Sequence, residues 1–183
     1  LKEKADKTAD LIYSLSELLR RSYKTPHHSC TLSEEFHHID SYLYIQRMRY
    51  SGLLTTEIFI EEEVENTMLP IFSLQPFVEN AMIHGIEPLN RKGYIAVSAV
   101  RADVKVLIRI IDNGAGMQQE MVERILKGQI EPSRVQTSGM GIKNVKERLD
   151  LVFGDRYTME IKSHPDEGTE VSIYIPLTLE RGE

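Results

Sequence analysis

The stretch LQPFVENAMIHG, residues 74–85, combines a carboxylate, a carboxamide and an imidazole with apolar residues at helical spacing. Pro76 lies inside this pattern, so we expect a kink or a fresh helix start there. Asn80 and His84 are four residues apart and would share a helix face, whereas Glu79 points about 100° away from Asn80. Because a face with Asn and His is a poor core face, we expect these residues to bind a ligand.

These polar side chains suit a definite chemistry, and each also has a structural alternative. The neutral carboxamide oxygen of Asn80 can ligate Mg²⁺ without cancelling the charge of the metal. Glu79 can act as a base that polarises an attacking group. Taken alone, Glu79 and Asn80 also fit an exposed helix pair, and His84 with Gly85 fits a helix end with a left-handed glycine cap.

A second box, DNGAG at residues 112–116, follows a strand-like run. An alternating apolar run that ends in Asn-Gly is a strong hairpin signal, so a simple turn is one interpretation. The residues after the box do not alternate, which favours a strand end that opens into a helix. There the carboxylate of Asp112 can accept the exocyclic amine of adenine, while Gly114 and Gly116 let the backbone approach the base.

A third box, GMG at residues 139–141, begins a predicted helix that extends from Ile142 to Phe153. The free backbone amides and positive end of that helix would face phosphate, although a flexible hinge fits the glycines equally well. The polar residues 128–138 before it lack periodicity and predict a mobile loop. In this order the three boxes predict a nucleotide pocket, with adenine at Asp112 and Mg²⁺ near the first box.

Composition limits the classes of function. The chain has 183 residues, 41% of them hydrophobic, and a net charge of −6, with acidic residues concentrated at 61–65. Such a surface repels nucleic acid, so we expect no nucleic-acid partner. The single Cys30 excludes an internal disulfide and fits the cytosol. The histidine pairs at 27–28 and 37–38 do not predict a metal site, because neighbouring helical residues point in different directions.

The first third of the chain predicts two amphipathic helices. Leucines and isoleucines at spacings of three and four draw an apolar stripe along residues 11–23. The second helix begins at Thr31, where Glu34 completes a capping box, and continues toward Tyr50. The two helices would form a hairpin that packs on a partner chain or on upstream sequence, or else on the unit that follows. Since Leu1 stands in a charged, helix-forming stretch, we expect the sequence to start inside a helix.

Strands and shorter helices are predicted from Leu54 onward. An alternating strand opens there, two strands joined by a turn at 101–103 follow the first box, and a helix covers 118–127. Two strands, 157–163 and 170–175, close the sequence. No run of about 18 apolar residues predicts a membrane span. The predicted fold class is α+β: an N-terminal helical hairpin, then a sandwich with a mixed, mostly antiparallel sheet and helices on one face.

The boxes resemble those of the GHKL, or Bergerat-fold, ATP-binding domain, and in particular the sensor histidine kinases of the LytS/YesM type. Residues 74–85 resemble the asparagine box of that family, and the likeness extends back through residues 42–50. Residues 112–116 resemble the first glycine box, residues 139–149 the second, and residues 168–176 the terminal strand. Four boxes in this order are specific, and the resemblance as a whole covers nearly the whole chain.

The resemblance implies ATP and Mg²⁺ as ligands. It implies that Asn80 binds Mg²⁺, that Glu79 and His84 are catalytic residues beside the phosphates, and that Asp112 binds adenine. The other positions implied to bind the nucleotide are Gly114, Gly116, Gly139, Gly141, Lys143, Asn144 and Thr169. Residues 128–138 would form an ATP lid that excludes water on closing. Residues 1–52 would be part of the dimerisation and phosphotransfer region, and 53–183 the catalytic ATP-binding domain.

The resemblance also implies a protein-histidine kinase of a two-component system. Such an enzyme transfers the γ-phosphoryl of ATP to a histidine and then to a response-regulator aspartate, in a membrane-anchored homodimer with a cytoplasmic kinase region. The family's acceptor histidine lies in a Pro-His-Phe-type motif that does not occur in this sequence, and His27 shares only the Pro-His dipeptide in a predicted loop. We therefore expect the acceptor upstream, and no autophosphorylation by these residues alone.

Two other hypotheses remain. A GHKL ATPase of the gyrase or chaperone kind, or an anti-sigma serine kinase, would share the boxes but lack the pattern of residues 42–50. A nucleotide-sensing dimerisation module without catalysis would share the fold, although intact Asn80 and Asp112 argue against it.

Overall fold

A computed structural model describes residues 29–89, 91–129 and 138–177. The predicted helix at 11–23, the histidine pair at 27–28 and most of the predicted lid lie outside the described residues. The elements are β1 (Ser29–Thr31), α1 (Leu32–Arg49), β2 (Leu54–Ile60), β3 (Met68–Pro70), α2 (Gln75–Asn80), a π-helical turn (Ala81–Ile86), β4 (Gly93–Ala102), β5 (Lys105–Asp112), α3 (Gln119–Leu126), α4 (Ser138–Phe153), β6 (Thr158–His164) and β7 (Gly168–Pro176). Among the described residues, no helix combines the length and the apolar composition needed to cross a membrane.

A five-stranded sheet in the order β2-β4-β5-β7-β6 forms the centre of the fold. β2 lies parallel to β4, and the other neighbours pair antiparallel. The register sets Asp112 between Ile95 on one side and Thr169 on the other. Directly paired residues share a face of the sheet, so these three side chains lie in one row. The predicted mixed, mostly antiparallel α+β fold is confirmed.

The helices cover one face of this sheet. Alternate residues of β4 are buried from Ile95 onward, while their neighbours on the other face are half-buried or exposed. Ile108 and Ile110 of β5 continue the buried face, and Phe77 of α2 and Leu149 of α4 belong to the same core. Each such side chain stabilises the fold by roughly 1.5–3 kcal/mol. This packing brings the polar boxes, which lie at the ends of these elements, to the same face.

Helix α1 begins as the sequence predicts. The Thr31 hydroxyl accepts from the backbone N–H of Glu34 at 3.2 Å, and the Glu34 carboxylate accepts from the N–H of Thr31 at 2.8 Å. The buried side of α1, including Leu32, Phe36 and Ile39, belongs to the core of the sheet. Of the packings considered for the two helices, α1 therefore adopts the one on the unit that follows. The domain boundary at residue 52 stays a prediction.

Two helices differ in detail from the predicted pattern. Pro76 marks a fresh start rather than a kink, because it stands in the first turn of α2, where its missing N–H leaves no hydrogen bond unmade. After Asn80 the helix widens, and the N–H of Glu87 donates to the carbonyl of Met82 at 2.9 Å, an i→i+5 bond. Helix α4 begins at Ser138 rather than at Ile142, so the third box lies inside its first turn.

Candidate functional site

A cavity of about 200 Å³ lies between the buried face of the sheet and the helices α2, α3 and α4. Its polar lining comes from Asn80, His84, Asp112 and Thr169, and Gly116 borders it. Most of the remaining lining is apolar: Phe77, Ala81, Ile110, Met117, Met121, Ile125, Ile142, Ile161 and Val171. The fold thus brings five of the predicted site residues to one slot. An apolar slot with few polar groups suits a flat heteroaromatic ring.

Asp112 closes β5 and lies at the inner end of this slot, with only 7% of its surface exposed. Its Oδ1 accepts from the N–H of Gly114 at 2.7 Å, and the N–H of Thr169 also donates to the carboxylate. Burial raises the pKa of Asp112 to about 6, against the lowering effect of these two hydrogen bonds. A carboxylate has about four lone-pair sites, so it can accept a further donor from a ligand.

Glycine at two positions lets the first and second boxes touch. A Cβ on Gly114 would lie 2.4 Å from the Cα of Gly85, and a Cβ on Gly85 would lie 2.9 Å from Oδ1 of Asp112. The N–H of Ala115 donates to the carbonyl of Gly85 at 2.9 Å and joins the two boxes. Backbone therefore packs on backbone beside the carboxylate, an approach that any larger residue would prevent.

Asn80 and His84 reach the cavity from the junction of α2 with the π-helical turn. The sequence placed both on one face of an α-helix, and both do line the cavity, although the turn between them is wider than in an α-helix. π-helical turns are rare and are frequent at functional sites. Glu79, their neighbour, does not belong to the described lining, and its carboxylate accepts from Nε2 of Gln75 at 2.6 Å.

Glu79 instead faces helix α1. Burial raises the pKa of the Tyr42 phenol, and the negative charges of Glu79 and then Glu87 raise it further, while a hydrogen bond with Gln46 opposes the shift. The carboxylate of Glu79 is therefore close enough to α1 to act on its side chains. Its predicted role as a base beside the phosphates stays a prediction.

The third box contributes through helix packing. A Cβ on Gly141 would lie 3.3 Å from Cβ of Pro76, so α4 lies close against α2. Gly139 lies in the first turn of α4. Lys143 and Asn144 are exposed, and Nζ of Lys143 lies 3.9 Å from the carboxylate of Glu147. The predicted contacts of these four residues with nucleotide stay predictions.

Sequence reasoning missed several residues that hold the site. Asn113 takes no part in the cavity lining, and its Oδ1 accepts from the N–H of Tyr94 at 2.7 Å. Arg91 donates to the carbonyls of Asn113 at 3.1 Å and Asp166 at 3.0 Å, which ties the second box to the β6–β7 turn. A lone arginine in a loop carries no pattern that would have revealed this. Of the two methionines that line the cavity, Met121 lies on α3, and Met117 lies just before that helix.

The described residues would bind a metal ion only together with a bound ligand that supplies further metal ligands. Within them, no group of three or more His, Cys, Asp or Glu side chains is arranged to hold a metal ion. Asn80 offers one neutral oxygen at the cavity. Mg²⁺ is usually bound by one or two protein groups together with phosphates and water, so a metal that arrives with a nucleotide fits this donor set.

The fold and the cavity define an ATP-binding domain of the α+β sandwich type. The chain belongs to the histidine kinase-, DNA gyrase B- and HSP90-like ATPase family, whose model matches residues 72–179. A second model, that of the histidine kinases, matches residues 1–54. The predicted ATP-binding domain is thereby confirmed as a class.

The similar proteins narrow this class to sensor histidine kinases. Sensor histidine kinase BtsS of Escherichia coli K12 is 32% identical over 176 residues, which are 96% of this chain and 29% of that protein. Sensor histidine kinase YesM of Bacillus subtilis 168 is 33% identical over 166 residues, or 91% of this chain and 27% of that protein. The chain thus spans less than a third of the length of these relatives. The predicted likeness to LytS/YesM-type kinases is confirmed.

A solved structure shows the same fold. The catalytic domain of histidine kinase ThkA superposes with a TM-score of 0.58 at 15% sequence identity, over 82% of this chain and 95% of that domain. The solved structure shows the fold alone; the two family models and the sensor histidine kinase relatives identify the chain as the ATP-binding catalytic region of a histidine kinase.

Proposed function

We propose that the cavity binds Mg·ATP, with adenine against Asp112 and the phosphates toward Asn80 and His84. In the intact protein the γ-phosphoryl would pass to a histidine upstream of these residues and then to an aspartate of a response regulator. The observation that carries the proposal is the buried carboxylate at the inner end of an apolar slot, with Asn80 and His84 lining the same slot.

The residues of this chain would act mainly by positioning. Asp112 would accept the exocyclic amine of adenine, and the apolar lining would exclude water from the ring. Asn80 would give one oxygen to Mg²⁺, and the metal would neutralise charge on the phosphates. The Glu79 carboxylate would give up its hydrogen bond with Gln75 and would then orient the attacking imidazole. Phosphoryl transfer needs little covalent chemistry from the protein, so positioning and charge stabilisation would account for most of the rate.

The surroundings of the site complete the proposal. Residues 128–138 would form the lid, and Gly139, Gly141, Lys143 and Asn144 would meet the phosphates once it closes. Gly114 and Gly116 would shape the adenine end beside Thr169. The intact protein would be a membrane-anchored homodimer whose kinase region lies in the cytoplasm. These proposals rest on the likeness to sensor histidine kinases.

Calorimetry with and without Mg²⁺ tests the ligand assignment. ATP should bind, and Asp112→Asn should lower its affinity roughly ten- to a hundredfold, the effect of losing a charged hydrogen bond of about 1.5–3 kcal/mol. The matched control is Asp103→Asn, the same chemical change at an exposed turn. Asn80→Asp should alter the Mg²⁺ dependence. Equal binding by the Asp112 variant and the wild type would refute the adenine assignment.

Labelled ATP tests the kinase assignment. A chain extended upstream through the acceptor region should gain acid-labile label on histidine, and the 183 residues alone should gain none. Asn80→Asp in the extended chain should abolish labelling without abolishing nucleotide binding. Stable label on His27 or His28 of the 183-residue chain would contradict the proposal that the acceptor lies elsewhere.

A further inference from the structure

We propose that Glu35 and Arg148 are positioning residues for the nucleotide site. Together they hold the turn Pro70–Leu74, which leads directly into α2 and thus fixes where the asparagine box lies. The inference deepens the proposed function and rests on it, because it concerns the placement of Asn80.

Glu35 of α1 binds the N–H groups of the turn. Its side chain is fully buried, at 0% exposure. One carboxylate oxygen accepts from the N–H of Phe72 at 2.8 Å and the other from the N–H of Leu74 at 3.1 Å. Leu74 immediately precedes α2. Hydrogen bonds to an ionised carboxylate are about twice as strong as neutral ones, so α1 holds the entry to α2 firmly.

Arg148 of α4 binds the carbonyl groups of the same turn. Its Nη1 donates to the carbonyl of Ile71 at 2.8 Å and its Nη2 to the carbonyl of Phe72 at 2.9 Å. Burial lowers the pKa of the guanidinium, and the charge of Glu35 opposes that shift, so the two groups are close enough to attract each other. Opposite charges thus act on the same turn, one on its N–H donors and one on its carbonyl acceptors.

The turn needs this hold because its backbone is strained. Phe72 has a φ of +56°, a conformation that a bulky residue adopts only at a cost of about 1–3 kcal/mol. The Ser73 hydroxyl donates to the carbonyl of Pro70 at 2.6 Å, and the His38 ring of α1 meets the Phe72 ring edge-on at 5.8 Å between centroids. Released from Glu35 and Arg148, the turn would relax to a commoner conformation and the start of α2 would move.

Such a movement would change the position of Asn80 and leave the Asp112 carboxylate in place. Asn80 ends α2 and would move with it. Asp112 ends the central strand of the sheet, is paired with a neighbouring strand on each side, and would stay in place. The turn therefore controls how the site meets metal and phosphate, while the adenine contact depends on the sheet. The turn also couples α1 to α2, the helix that ends at Asn80. Helix α1 lies in the segment that the histidine kinase model matches.

The test uses the 183-residue chain with Glu35→Gln and, separately, Arg148→Lys, whose single ammonium cannot bind both carbonyls as a fork. Glu61→Gln is the control carboxylate, since Glu61 accepts from the N–H of Arg101 at 2.7 Å at the far end of β4. Arg156→Lys is the control guanidinium, since Arg156 lies just after α4 and donates to the carbonyls of Val152 and Phe153 at the end of that helix. Calorimetry gives the ATP affinity with and without Mg²⁺, and urea gives the free energy of unfolding.

Both test variants should keep the ATP affinity that the wild type has without Mg²⁺. The factor by which Mg²⁺ raises the ATP affinity should be about tenfold smaller in the variants than in the wild type. The controls should keep both quantities. Variants that are less stable yet keep the full Mg²⁺ gain would overturn the proposal and leave the two residues a purely structural role. If Glu35→Gln does not fold, Arg148→Lys alone decides between these outcomes.

A second measurement separates this inference from the proposed function. Amide resonances of Asn80 should shift in Glu35→Gln and stay in place in Glu61→Gln, whether or not the metal binds. A wild type without any Mg²⁺ gain would refute the metal role of Asn80, and the resonances would still test the positioning. Unchanged Asn80 resonances in both test variants would refute the positioning itself.

Discussion

Adenine binding should depend on pH through Asp112. Burial raises the pKa of this carboxyl to about 6 in the free protein, and the proposed contact needs its ionised form. About nine in ten molecules are ionised at pH 7 and about one in ten at pH 5, so affinity should fall about tenfold between these values and level off above about pH 7. Because the ligand selects the ionised form, binding below pH 6 should release a proton.

Calorimetry with adenosine measures this effect without interference from the phosphates, which titrate in the same range. Asp112→Asn keeps the size of the side chain and removes its titration, so the variant should bind weakly and equally at pH 5 and pH 7. Buffers of different ionisation enthalpy give the number of protons released. A wild-type affinity that stays constant from pH 5 to pH 7, or a variant with the wild-type slope, would refute the reasoning.

The folded state makes further predictions. The pKa of Asp112 is raised above its ordinary value of 3.8, so the contribution of this group to stability is present at low pH and is lost as the pH rises from about 4 to 6. Urea unfolding should show a loss of at most about 3 kcal/mol over this range in the wild type. The loss should be absent in Asp112→Asn. Gly114→Ala would place a methyl 2.4 Å from Gly85 and should lower both stability, by about 1–3 kcal/mol, and ATP affinity in calorimetry. Thr31→Ala removes the cap of α1 and should cost about 1 kcal/mol in the same unfolding assay while ATP affinity stays unchanged. Arg91→Gln should weaken adenosine binding in calorimetry, because it removes the donor to the carbonyl of Asn113 within the second box.

The sequence predicted the elements whose signals are local. Thr31 and Glu34 form the capping box that their spacing indicates. The alternating runs form β2, β4 and β5, because successive side chains of a strand point to opposite faces, so that every second residue packs in the core. Asp112 ends its strand at the cavity, as the loss of alternation in the residues after it indicates. These inferences needed only neighbours within a few positions.

Contacts between segments that are distant in the chain could not be predicted from the sequence. Glu35 and Leu74 are 39 positions apart, and Arg148 and Ile71 are 77 apart. Neither α1 nor α4 carries a pattern that shows where a buried charge will find its partners. The sequence also showed no sign of the left-handed conformation of Phe72, since nothing local shows that the surroundings of a bulky residue force a positive φ. Tertiary packing decides such features, so only the structure reveals them.

The π-helical turn at Ala81–Ile86 makes a contact with the second box that local reasoning did not reveal. The carbonyl of Gly85 lies in the last turn of this helical segment, where carbonyl groups have no partner within the helix. In the structure this carbonyl accepts from the N–H of Ala115 and so fastens the asparagine box to the glycine box. A helix end buried without partners would be costly, and this bond supplies one from another box. This hydrogen bond thus joins the segment that carries Asn80 and His84 to the end of the strand that carries Asp112, which is the juxtaposition a nucleotide requires.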